Sequence, residues 1–93
     1  MQTRVAVMGI IVEDLSSAEA LNEVLHEYRG WLVGRMGIPY RERGIAVISV
    51  AIDAPQDVTA ALAGRIGALP HVSVRTAYSN AIFDDEEDGP SFG

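Results

Sequence analysis

Two stretches of this chain, Arg4 to Val12 and Ile45 to Ile52, are apolar at nearly every position rather than at every second one. A strand buried on one face alternates, so a near-continuous apolar run reads as a central strand that needs cover on both faces. In the first stretch Val5, Val7, Gly9 and Ile11 fall on one side and Ala6, Met8, Ile10 and Val12 on the other. The later stretch repeats the pattern, with Ile45 and Val47 set against Ala46, Ile48, Val50 and Ile52. A chain of 93 residues makes one domain, and a domain of that size buries only about 60 to 65% of its unfolded surface. An exposed apolar sheet is the cost of remaining a monomer, and self-association through a sheet face or edge is expected.

The remaining elements follow from periodicity and punctuation. Glu13-Asp14-Leu15-Ser16 leads from the first strand into a helix, where Ser16 and Glu19 have capping-box spacing and Leu21, Val24, Leu25 and Tyr28 form the apolar stripe. Gly30 supplies the stop. Trp31 to Met36 reads as a second strand, and Gly37-Ile38-Pro39-Tyr40-Arg41-Glu42-Arg43-Gly44 as the connection to the third, with Pro39 kept out of the ladder. A second helix is expected to begin between Pro55 and Val58, with Asp57 able to cap it, a stripe of Val58, Leu62, Ile66 and Leu69, and Pro70 at its end. Gly64 and Gly67 interrupt that helix at about 1 kcal/mol each relative to Ala. They point to close packing on the sheet or on another subunit. His71 to Ser79 alternates, with Val72, Val74, Thr76 and Tyr78 on one face, as a half-buried strand should.

Strand, helix, strand, strand, helix, strand is the order of two βαβ units joined by a hairpin. It predicts an α+β, ferredoxin-like βαββαβ sandwich, a four-stranded antiparallel sheet with two helices on one face. Residues 1–79 are expected to form this domain and residues 80–93 an acidic C-terminal tail.

The formal charge is −6, but five of the thirteen acids lie in the run Asp84-Asp85-Glu86-Glu87-Asp88. The rest of the chain is nearly neutral and has no basic stripe suited to a phosphate backbone, so direct nucleic-acid binding is not expected. The acidic run reads as a solvated tail, with an interaction tail as the alternative. There is no cysteine, which excludes a disulfide framework, a thiolate nucleophile and cysteine-ligated metals or clusters. The apolar N-terminal run is too short to span a membrane and carries no signal-peptide cleavage pattern, so a cytoplasmic location away from membranes is expected.

No residue set names a reaction. There is no phosphate-binding glycine loop, nucleophile elbow or paired-histidine helix motif, so no catalytic residue and no cofactor are expected. His26 stands near Glu23 and Glu27 on the polar side of the first helix, a spacing open to a metal or to plain solvation, and His71 opens the last strand alone. These two are the weak metal candidates. Glu13 and Asp14 sit at the positive end of the first helix, where they complement its dipole or accept a ligand's amino group or a neighbouring subunit's arginine. In the charged connection, Tyr40, Arg41, Glu42 and Arg43 are expected to project outward, the guanidinium groups being suited to bidentate recognition of a carboxylate. Glu13, Asp14, Tyr40, Arg41, Glu42 and Arg43 are therefore the ligand or interface candidates.

Three segments together resemble a known family: Ile11-Val12-Glu13-Asp14, Arg35-Met36-Gly37-Ile38-Pro39-Tyr40-Arg41-Glu42, and Ala61-Leu62-Ala63-Gly64-Arg65-Ile66-Gly67. Across roughly Arg4 to Ser79 the chain is similar to small ACT-like proteins described as regulators of iron-only hydrogenase systems. That family looks like the ligand-sensing domain of nickel-responsive repressors without the DNA-binding ribbon, although this chain lacks the cysteine and clustered histidines of the nickel site. The resemblance implies a small cytoplasmic regulatory or sensing domain associated with hydrogenase maturation or expression, and the absence of catalytic motifs makes it a non-enzymatic one. As a homo-oligomer, dimer or tetramer, it would bind a small molecule or a protein of the hydrogenase system. A ligand-free assembly or scaffolding protein and a metal-responsive sensor are the alternatives.

Overall fold

A computed structural model describes residues 1–84 of the chain. Strand β1 (Gln2–Val12) is followed by a single 3-10 turn over Leu15–Ser17 and helix α1 (Ala18–Glu27). A second 3-10 turn leads into β2 (Leu32–Tyr40), which a third joins to β3 (Ile45–Ala54). Helix α2 (Gln56–Gly67), β4 (Val72–Tyr78) and a two-residue β5 (Phe83–Asp84) complete the order. The main sheet is antiparallel and runs β2-β3-β1-β4, with β5 pairing the start of β1. This is the predicted ferredoxin-like arrangement, with the two-sided apolar strands β1 and β3 at its centre. The acidic run beyond Asp84 lies outside the described residues.

Alternation along the central strands separates two faces. Ala6, Met8, Ile10 and Val12 of β1 and Ile48, Val50, Ile52 and Ala54 of β3 are buried beneath Leu21, Val24 and Leu25 of α1 and Leu62 and Ile66 of α2. Tyr28, Trp31, Leu32, Val58, Leu69, Val72, Val74 and Tyr78 pack around that core. An ion pair between Arg65 of α2 and Glu27 of α1 crosses the helix layer. The arginine holds the Glu27 carboxyl below the usual carboxylate range.

Several local expectations are corrected. Ser16 and Glu19 do not form a capping box: the 3-10 turn moves the start of α1 to Ala18, and Asp14 accepts the Ser16 N–H at 3.0 Å instead. Ser17 precedes α1 without capping it, because its hydroxyl donates to the Pro70 carbonyl at 2.6 Å. Asp57 makes no cap for α2; Pro55 holds the N-cap position. The charged connection is also shorter than expected, since Gly37 to Tyr40 continue β2 and Pro39 pairs in register with Ala46. An edge strand tolerates proline because the missing N–H can face outward. The reversal needs only Arg41–Arg43 and Gly44, whose φ of 69° is left-handed backbone suited to glycine.

Candidate functional site

Among the described residues, no helix covers the sheet face opposite α1 and α2. Strand register sets its rows. Gly34, Ala51, Val7 and Ala77 form one; Met36, Ser49, Gly9 and Arg75 the next; Ile38, Val47, Ile11 and Ser73 a third. Met36, Ile38 and Val7 are 66%, 60% and 44% exposed, and Tyr40 continues the β2 edge. A shallow groove of about 200 Å³ runs over Gly34, Met36, Ser49 and Ala51. Scattered exposed apolar residues are ordinary, but a contiguous face of them marks an interaction surface.

Among the described residues only two charged side chains, Asp53 of β3 and Arg75 of β4, interrupt this face within the strands. Asp53 Oδ1 is shut away from solvent with no hydrogen-bond partner among the described residues. Arg75 donates to the carbonyl of Val74, its neighbour in the strand, at 2.9 Å. The sequence reading missed both. The available signal was the charge of Asp53 where the apolar run of β3 ends, in phase with Val47, Ser49 and Ala51.

At one end of the sheet the fold gathers the β1–α1, hairpin and α2–β4 connections. The Glu13 N–H donates to the His71 carbonyl at 2.8 Å, joining two of them. His71 has a left-handed φ of 60°. The Asp14 carboxyl is held below its usual range first by the Ser16 N–H, then by the Ser16 side chain, with the nearby His71 adding to the effect. Tyr40, Arg41, Glu42 and Arg43 lie exposed at the same end, on the far side of β3. Arg41 and Arg43 make no side-chain hydrogen bond or ion pair among the described residues. Within one chain Glu13 and Asp14 therefore do not engage them.

The other candidates separate. His26 lies on the exposed side of α1, near its C-terminus, while His71 lies beyond the helix's other end, about 15 Å away along a ten-residue helix. Among the described residues no three His, Cys, Asp or Glu side chains come together as a metal-ligand set. Of the two helix glycines, only Gly67 is close to the sheet, where an added Cβ would lie 3.4 Å from Val74; at Gly64 it would meet nothing within 4 Å. Helix-on-sheet packing accounts for Gly67 alone. A cleft of about 70 Å³, unforeseen from the sequence, is lined by Gln2, Thr3, Arg4, Gln56 and Ile82. Arg4 donates to Gln56 Oε1 there at 3.4 Å. It has room for one or two waters.

The order of elements and the helix-covered antiparallel sheet define an α+β domain of the ferredoxin-like class. Residues 4–76 match the profile of the TM1266-like family of proposed iron-only hydrogenase system regulators, and the chain belongs to that family. Among solved structures it is similar to the uncharacterized protein TM1266 from Thermotoga maritima, with 32% identity and a TM-score of 0.78 over 82% of this chain and 96% of that one. It is also similar to a formyltetrahydrofolate deformylase from Pseudomonas putida KT2440, with 18% identity and a TM-score of 0.60. That match covers 83% of this chain and 29% of the enzyme, and at this identity the likeness is one of fold alone. No curated protein matches the chain. No helix among the described residues is long and apolar enough to cross a membrane.

Proposed function

We propose that the chain is a non-enzymatic regulatory module of an iron-only hydrogenase system that works as a homo-oligomer and binds a small molecule or partner protein. The apolar open face of the sheet carries this reading: a central β1 with Val7 and Ile11 facing away from the helices is the interior of an assembly rather than the outside of a monomer. Family membership supports the regulatory role. The binding end is the one bearing Glu13, Asp14, Tyr40, Arg41, Glu42 and Arg43, where two unpaired guanidinium groups suit a carboxylate from a ligand, a partner or another subunit.

Light scattering coupled to size exclusion tests the assembly: a species of at least twice the 10.0 kDa chain mass is expected at micromolar concentration, and a monodisperse monomer would overturn the reading. A thermal-shift panel tests the ligand. Binding to the native state at a hundredfold excess over Kd stabilises it by about 2.7 kcal/mol. A response to an amino acid or related metabolite supports sensing, a response to a divalent metal favours a metal-responsive sensor, and silence across the panel favours an assembly protein.

A further inference from the structure

We propose that two copies of this chain stack open face against open face about a two-fold axis crossing Val7, with Asp53 of each copy paired to Arg75 of the other. The proposal rests on the self-association reading above and adds the surface, the register and the side chains that select them.

The register supplies the geometry. Asp53 lies one strand from Val7 on the β3 side, opposite Val5, two residues toward the start of β1. Arg75 lies one strand from Val7 on the β4 side, opposite Gly9, two residues the other way. With standard strand spacing and rise, each Cα is about 8 Å from Val7 along one diagonal. An axis in the interface plane, crossing Val7 at right angles to that diagonal, exchanges the two positions. The strands of the two sheets then cross steeply, in the orthogonal class of sheet packing. A two-fold interface requires that residue i meets residue j while j meets i, and the acid and base that the described strands place on this face satisfy that requirement.

Each partner lacks what the other supplies. Asp53 Oδ1 is buried and has no hydrogen-bond partner among the described residues, a costly state for a carboxylate. Among the described residues the Arg75 guanidinium has one acceptor, the Val74 carbonyl, leaving N–H groups for a carboxylate.

The glycines of the face give a separate reason for a second copy. Gly9 and Gly34 have no positive φ, and a Cβ on either would meet nothing within 4 Å. Neither backbone conformation nor packing within the chain calls for glycine there, although glycine weakens a strand. With Ser49 and Ala51 they leave a trough beside Met36 and Ile38. About the Val7 axis, Met36 lies on the axis and meets its own counterpart, while Gly34 and Ala51 of one copy fall over Gly9 and Ser49 of the other, so small residues oppose small ones and let the two sheets approach closely.

A charge-exchange cycle tests the pairing. The wild type, Asp53→Arg, Arg75→Asp and the double exchange are compared by sedimentation equilibrium at low salt, with circular dichroism to verify folding. A dimeric wild type is expected, with each single exchange weakening it at least about tenfold and the double exchange restoring most of the loss. A dimer whose Kd is unmoved by the single exchanges, or is not recovered by the double, overturns the pairing and leaves self-association standing. A monomeric wild type overturns both. If a charge reversal fails to fold, Asp53→Asn and Arg75→Gln complete the same cycle: non-additive weakening supports the pair, and additive effects overturn it.

Discussion

Thr59 and Asp14 show opposite fates for a polar side chain. Thr59 is fully buried on the inner side of α2, and its hydroxyl has no partner among the described residues. A buried hydroxyl left unpaired costs about 1 to 3 kcal/mol, and valine has nearly the same shape. Thr59→Val is expected to raise stability by about 1 kcal/mol, read as a higher urea midpoint at unchanged slope; a lower midpoint would mean that the hydroxyl is satisfied after all. Asp14, by contrast, holds the first turn after β1 through the Ser16 N–H. Because its carboxyl titrates below the usual range in the folded chain, its ionised form contributes stability above the unfolded value. That contribution is lost as pH falls through the folded value. The difference in melting temperature between wild type and Asp14→Ala should be steady near neutrality and shrink below the ordinary aspartate range. A difference that grows on acidification contradicts this role.

Elements with strong periodicity are legible in the sequence, and those where two local signals compete are not. The stripes of α1 and α2 and the alternation of β4 were legible because burial imposes them directly. Ser16 and Glu19 match a capping box, but nothing local reveals that a 3-10 turn will advance the helix start and leave Asp14 as the cap. Proline and glycine likewise made Gly37 to Tyr40 resemble a loop, whereas their place on an edge strand lets both remain in the ladder. The candidate end of the sheet was legible from composition, but the Asp53–Arg75 diagonal was not, since it exists only once β1, β3 and β4 are in register. The corrected hairpin also sharpens the reading of its tip. The side chains of Arg41 and Arg43 are exposed and make no hydrogen bond or ion pair among the described residues, so replacing both with alanine should leave circular dichroism and secondary structure unchanged. The same change should weaken an acidic ligand or partner by at least about tenfold, as loss of charge-assisted hydrogen bonds does. Binding that survives the double replacement would reduce the hairpin tip to a connection.

At the scale of the whole molecule, the described residues form two layers, helices over sheet. One helix layer covers one sheet face, which is why the two-sided apolar strands were the most informative feature of the sequence. Those strands also govern how the chain is made. β1 lies between β3 and β4 and is synthesised before either, so at 5 to 20 residues per second several seconds separate Val12 from Tyr78 on the ribosome. During that interval β3 can pair one edge of β1, while the edge that β4 will take stays open. The sheet closes only when β4 emerges, so a long-range strand pairing, rather than local helix formation, completes the fold.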